Sequence, residues 1–230
     1  MKKILLTIVT LTTLVASTQA ALIAHWGFDT FTWNPAGGSS RTISPEDGIQ
    51  TSATFTIDPV ALIPDNKIAS VTGTTVNDPR GTPAASFAIE FQGQTGNNNG
   101  ATIHLSGIQR SFFFVTYAGK ASAGGTSQNT WSWSTDGTTF STVGVTQPGV
   151  IGLTYSTFTV DFSAVSALNT GTATDIYLRA VGAGGGNNTD YDNIQVLAQI
   201  PEPINVALAL FGLGFVGLKF GRRLFSFVRR

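Results

Sequence analysis

The chain of 230 residues contains no cysteine, one methionine and two histidines, and only 11% of it is charged. Without cysteine there is no disulfide, no thiolate metal site and no cysteine nucleophile. Before the last thirty residues the only glutamates are Glu46 and Glu90. Glycoside hydrolysis needs two carboxylates about 5–10 Å apart, and Glu90 falls opposite the apolar face of its segment, where a side chain is most simply solvated. His25 and His104 both fall on predicted strands. No G-x-S-x-G, H-E-x-x-H or phosphate-loop pattern occurs. No catalytic residue is therefore assigned, and an enzyme is not expected.

The formal charge of zero hides an asymmetry. Of the 13 basic residues two lie at the N-terminus and five in the last thirty residues, while of the 13 acidic ones only Glu202 lies outside the middle. Residues 21–198 therefore carry six positive against twelve negative side chains, a net charge of −6. A chain that binds nucleic acid clusters lysine and arginine against phosphate, so nucleic acid is not an expected partner.

Glycine, serine, threonine and asparagine are abundant, which suits strands and turns. Between residues 21 and 198 no segment has a convincing helical period. Short strand-like runs alternate with Gly/Asn/Pro clusters. Residues 21–28 read as the first strand. Ala53, Phe55 and Ile57 share one face of the next, and Phe87, Ile89 and Phe91 share one face of another. Phe112 to Val115 is continuously apolar, which predicts a strand covered on both faces. Residues 93–100 and 119–128 read as loops. Residues 130–135 and 139–143 flank Asp136-Gly137, a hairpin signal. Residues 158–162, 175–181 and 192–197 complete the set. About ten short strands with turns between them predict an all-β, antiparallel β-sandwich, with a barrel as the alternative.

The two ends carry a different signal. Met1-Lys2-Lys3 followed by an apolar run and Thr18-Gln19-Ala20 reads as a signal peptide, residues 1–20. Residues 199–230 contain Pro201-Glu202-Pro203, an uncharged run from Ile204, and a basic end. Prolines 201 and 203 hold this segment extended. The apolar run, about 204–220, is just long enough for one short transmembrane helix if Lys219 snorkels. Lys219, Arg222, Arg223, Arg229 and Arg230, in the basic tail 219–230, would stay cytoplasmic and set the topology.

In its order and position this tail resembles the PEP-CTERM sorting signal of Gram-negative bacteria. The resemblance implies an exosortase as processing partner, acting at Pro201-Glu202-Pro203, and an exported protein held in the inner membrane facing the periplasm. It also implies later delivery to the cell surface or an extracellular polysaccharide matrix. The basic region departs from the pattern, being longer and interrupted by LFSFV. The 21–198 domain resembles jelly-roll and LamG-like sandwiches at NTWSWSTDGTTFSTV (129–143), at IYLRAVG followed by YDNIQV, and at residues 21–29. A structural role in the cell envelope is the first expectation, and a carbohydrate-binding jelly-roll module is the alternative.

Three tryptophans are candidate sugar platforms. Trp131 and Trp133 lie two apart and share a strand face, and Trp33 sits in a turn-like region. The competing reading places Trp131 and Trp133 in the core. Asp190 and Asp192 flank Tyr191 in a stretch rich in oxygen ligands, which suits calcium. In related jelly rolls an aspartate of the last strand often binds calcium with groups near the first strand, where Asp29 sits. The competing reading makes these aspartates turn residues that bind their own backbone.

Overall fold

The computed structural model describes residues 20–29, 41–57, 68–81, 87–91, 100–106, 110–122, 128–169, 175–184 and 188–199. Eleven strands appear among them: β1 (Ala20–Trp26), β2 (Arg41–Ile43), β3 (Thr54–Ile57), β4 (Ile68–Thr72), β5 (Phe87–Phe91), β6 (Gly100–Ser106), β7 (Ser111–Ser122), β8 (Gln128–Ser134), β9 (Ser156–Asp161), β10 (Asp175–Gly184) and β11 (Asn188–Gln199). The one helical turn described, Ser166–Leu168, is 3₁₀. Among the described residues no helix is long and apolar enough to cross a membrane. The leader, Trp33, the Pro201-Glu202-Pro203 motif, the apolar run and the basic tail lie outside the described residues.

Every strand pair in the ladders is antiparallel. One sheet runs β4-β5-β11-β7-β9, with β1 alongside β11, and the other runs β2-β3-β6-β10-β8. The all-β sandwich expected from the spacing of turns and apolar runs is the observed fold. Alternation drives it. In β3, Phe55 and Ile57 are buried between partly exposed threonines. In β6, Ala101, Ile103 and Leu105 are buried while Thr102, His104 and Ser106 are half-exposed. A side-chain period of two sends the first set into the core and the second to the outer face.

The sheets meet through large rings. Trp26 of β1 lies 5.9 Å from Phe55 of β3, and Phe28 lies 5.5 Å from Phe55. Tyr117 of β7 lies 5.7 Å from Trp131 of β8. Burying one such side chain stabilises the fold by about 1.5–3 kcal/mol.

Three expectations are corrected. The run Phe112 to Val115 is not covered on both faces: Phe113 and Val115 are buried, but Phe112 is 41% exposed. The long loop expected from Gly119 begins later, because β7 continues to Ser122 along β11. Glycine makes room there: a Cβ on Gly119 would stand 3.0 Å from the rings of Phe158 and Tyr117, and one of them would have to shift. The second limb of the Asp136-Gly137 hairpin is not a strand; its backbone pairs with β8 at the isolated Trp133–Ser141 bridge.

Candidate functional site

The outer face of the five-stranded sheet is built in cross-strand rows. One row reads Thr42, Thr56, Thr102, Arg179, Ser132 across β2, β3, β6, β10 and β8. The next reads Thr54, His104, Tyr177, Ser134 across the last four. Residues directly opposite in neighbouring strands bring their Cβ atoms to about 5 Å. Hydroxyls, an imidazole, a phenol and a guanidinium are therefore aligned on one surface. Thr54, Thr56, Thr102, His104, Tyr177 and Arg179 of these rows floor an open groove of about 370 Å³, while Ser132 and Ser134 at the β8 end are buried.

At its centre the His104 and Tyr177 rings stack in parallel, 4.3 Å apart and 4° from coplanar. His104 Nε2 lies 3.0 Å from Asp175 Oδ1. Gly137 closes against the other side of the phenol: a Cβ there would stand 3.0 Å from Tyr177 Cζ, and its φ is +73°. Phe140 forms part of the wall, with Arg179 Cζ 5.4 Å from its ring centroid.

The wall is held by the turn that the sequence signalled. Asp136 Oδ1 accepts from Ser134 Oγ and from the N–H groups of Thr138 and Thr139, each at 2.7 Å. Those backbone bonds, Thr139 first, hold the Asp136 carboxyl well below the usual range. Trp133 Nε1 donates to Val143 O at 2.9 Å, pinning the segment that carries Phe140.

Trp131 and Trp133 do share a strand face, but it is the inner one. Trp131 opposes Ala180 and Trp133 opposes Leu178, both core residues. Trp131 is 1% exposed and Trp133 packs on the core from its margin. The exposed two-tryptophan platform is thus corrected: the pair supports the groove from below. A void of about 10 Å³ beside Trp131 has room for about one water.

The three candidate aspartates are divided. Asp29 Oδ2 is 2.6 Å from Arg80. The same guanidinium meets Glu46 Oε2 at 3.0 Å and Asp78 Oδ2 at 2.8 Å. Asp192 accepts from Thr74 N through Oδ2 and from Asn193 N through Oδ1, at 2.7 and 2.8 Å. Asp190 Oδ2 lies 3.0 Å from Lys120 Nζ. Among the described residues no group of three His, Asp or Glu is arranged to hold a metal ion. Asp29, Asp190 and Asp192 do not fit calcium as one ligand set. An arginine takes the point where carboxylates converge, and the backbone takes both oxygens of Asp192.

Asp190 and Asp192 lie on β11 of the six-stranded sheet, where covering segments bury them. Asn193 Nδ2 donates to Thr74 O and Val76 O, and Gln195 Nε2 donates to Asn77 O, tying down residues 74–77. His25 is buried beneath, and neither ring nitrogen meets hydrogen-bond geometry with a partner among the described residues. Burial, then the Arg80 charge, lowers its pKa. Burial raises Asp192 to about 7, against the pull of its two backbone amides. Burial likewise raises Asp190 to about 6, opposed by Lys120 and reinforced by Glu90. Glu90 is only 7% exposed, so its expected solvation is corrected. Asp190 and Lys120 flank its row, and Tyr155 spans above, its ring 4.9 Å from Lys120 Nζ and its hydroxyl donating to Thr72 O.

No protein-family model matches the chain, and no curated protein does. Fold and groove together define an all-β sandwich with an open, polar groove on one sheet. Among solved structures it is similar to the CBM22-1–CBM22-2 tandem domain of Paenibacillus barcinonensis Xyn10C, at 10% identity and TM-score 0.46, over 82% of this chain and 48% of that one. The chain thus spans about half the length of that structure. It is also similar to the single CBM22-1 xylan-binding domain of the same protein, at 10% identity and TM-score 0.42, over 72% of this chain and 98% of that one. A third is the CBM22-1–GH10 portion of Clostridium thermocellum xylanase Xyn10B complexed with xylohexaose, at 10% identity and TM-score 0.40, over 78% of this chain and 28% of that one.

Proposed function

We propose that this protein is an exported carbohydrate-binding protein that holds a polysaccharide chain across the outer face of its five-stranded sheet. The observation that carries this reading is the double row of hydrogen-bonding side chains crossing β3, β6 and β10, set in an open groove. A sugar chain presents hydroxyls at regular intervals. A floor of threonine hydroxyls, phenol, imidazole and guanidinium offers donors and acceptors in matching density. A groove open at the surface accepts a chain from its side, without needing a free end.

Among the described residues the groove lining contains no carboxylate, and Asp175 reaches it only through His104, 3.0 Å away. The carboxylate pair Glu90–Asp190 lies on the other sheet and is buried. The reading is tested by affinity electrophoresis and calorimetry of the full chain in mild detergent against a panel of soluble polysaccharides. Tyr177→Ala removes the central ring and is expected to weaken binding about tenfold or more, with an unchanged far-ultraviolet spectrum. Full retention of binding by that variant, or no binding to any glycan by the wild type, would defeat the reading.

Export and tethering are part of the same proposal and rest on the sequence of the two ends. Changing Arg222, Arg223, Arg229 and Arg230 together to glutamine is expected to move a large share of the protein out of the inner-membrane fraction, because flanking positive charge sets topology. Unchanged fractionation would count against the anchor.

A further inference from the structure

We infer that the sandwich rests on a bilayer surface through an apolar patch at one end of its six-stranded sheet, formed by Leu22, Ile49, Phe112, Phe114 and Leu197. This goes beyond glycan binding and rests on the anchoring part of the proposal above. Three observations carry it.

The first is the patch. Leu22 on β1 opposes Leu197 on β11, and Leu197 opposes Phe114 on β7. The three form one cross-strand row, in which neighbouring Cβ atoms stand about 5 Å apart. Val196 and Ala198 beside Leu197, and Phe113 and Val115 beside Phe114, are buried in the core. A side-chain period of two therefore puts the row on the outer face, where all three side chains are half-exposed. Ile49 and Phe112 flank it, 56% and 41% exposed. An outer face turned to water carries polar side chains at such positions, and apolar ones gathered in one place mark a surface for a partner or a membrane.

The second is how the patch is held. Gly48, at φ +115°, lies so close to β1 that a Cβ there would stand 2.5 Å from Ile23 O. Ile49 N then donates to Leu22 O at 3.3 Å and Gln50 N to Ile23 O at 2.8 Å. Ile49 is fixed beside the row while its side chain stays open. Phe112 has φ +54°, a costly conformation for a bulky residue, and its N–H donates to Asn169 Oδ1 at 2.7 Å. The polar cover of this sheet is fastened one row away. Asn77 Nδ2 donates to Thr116 Oγ1 and Gln195 Nε2 to Asn77 O, and Thr116, Gln195 and His25 make up that next row.

The third is where the chain leaves the sandwich. Ala20 pairs with Gln199, two residues beyond Leu22 and Leu197. The uncharged run begins at Ile204. Five extended residues span at most about 18 Å, so a run embedded in lipid keeps this end of β11 near the bilayer. Apolar groups at such a surface sink about 5–10 Å into the headgroup region. The groove lies on the outer face of the other sheet, so a sandwich seated on this patch turns its groove away from lipid.

The absence of cysteine makes the test direct. Ile49→Cys, Phe112→Cys and Gln128→Cys each accept one fluorophore; Gln128 is exposed and pairs with Gly184, at the opposite end of the sandwich. Each full chain is reconstituted into phosphatidylcholine vesicles carrying a doxyl quencher high on the acyl chains. Labels at 49 and 112 are expected to be quenched at least about threefold more strongly than the label at 128. Adding Ile49→Asp to Phe112→Cys should cut quenching at 112 about twofold or more, since a carboxylate resists leaving water, with an unchanged melting curve. Equal quenching at all three sites, in chains that float with the vesicles, overturns the patch and leaves the anchor intact. Energy transfer between labels on two copies that persists in detergent, without quenching by lipid, assigns the patch to a second copy and overturns the bilayer. Chains that do not float with the vesicles remove anchor and patch together, and leave glycan binding untouched.

Discussion

Replacing Arg80 with alanine is expected to destabilise the protein by about 2–3 kcal/mol, a fall in melting temperature of about 4–12 °C for a domain of this size. One guanidinium receives three carboxylates there: Asp29 at 2.6 Å, Asp78 at 2.8 Å and Glu46 at 3.0 Å. They come from three separate places: the end of β1, the segment beside β1, and the segment that covers β11. Arg80 therefore fastens these segments to one another. Removing one partner of a buried pair costs about 3–5 kcal/mol, because the other charges are left uncompensated. The Arg80 side chain is 27% exposed, so the loss is discounted for solvent screening. Lysine should restore only part of it, since an ammonium cannot serve several carboxylates in the planar fork of a guanidinium. The loss should shrink in 1 M salt, which screens the repulsion among the carboxylates left behind. A loss below about 0.5 kcal/mol in urea unfolding would show that the cluster is only a surface ornament.

That arginine also shows what the sequence conceals. Alternation in the 53–57 and 87–91 segments made much of the core legible, because a period of two is a local property that a half-buried strand must have. Phe87 is the exception, 37% exposed where Ile89 and Phe91 are buried, because it begins a strand near the sheet's margin. The Asp136-Gly137 turn was legible for the same reason, as its chemistry is confined to four or five residues. The shared face of Trp131 and Trp133 could also be read, but not which side that face would take. Register decides this, through pairing with Ala180 and Leu178 some fifty residues away. The groove was hidden in the same way. His104 and Tyr177 are unremarkable outward residues on their own strands and become a stacked pair only when β6 and β10 align. Arg80 lies outside any strand and meets carboxylates 2, 34 and 51 positions distant, a pattern with no local mark. Asp190 and Asp192 are of a type that suits calcium and equally suits bonds to their own backbone, and type alone does not choose between them. Their burial depends on Tyr155 and residues 74–77, which the local pattern does not reveal.

Burial of those same acids leads to the second large effect: the protein should become more stable as pH falls from 8 to 5. Asp190 is pushed up to about 6 and Asp192 to about 7, from an ordinary 3.8. The folded chain thus holds protons at pH values where the unfolded chain has released them. A group of this kind contributes stability that is complete below its unfolded pKa and is lost as pH rises through its folded pKa. The window for the two aspartates runs from about pH 4 to pH 7, and Glu46, raised chiefly by burial, acts in the same direction. His25 opposes them. Its pKa is lowered from 6.5 by burial and by Arg80, so its contribution is lost as pH falls below that value. Asp78, lowered by its bonds to Arg80 against the effect of burial, titrates below the window. Two raised aspartates and a raised glutamate outweigh one histidine, for a net gain on the order of 2 kcal/mol on acidification and a rise of about 4–8 °C in melting temperature. Asp190→Asn isolates one contributor. Its amide oxygen can still accept from Lys120, and its amide nitrogen can donate towards Glu90, which opposes it in the ladder. The variant should therefore melt higher than wild type at pH 8 and within a degree or two of it at pH 5. Differential scanning calorimetry across that range decides the matter: a wild-type melting temperature that stays level or drops on acidification, with the variant following the same slope, would mean that these carboxylates are charged and satisfied in the fold.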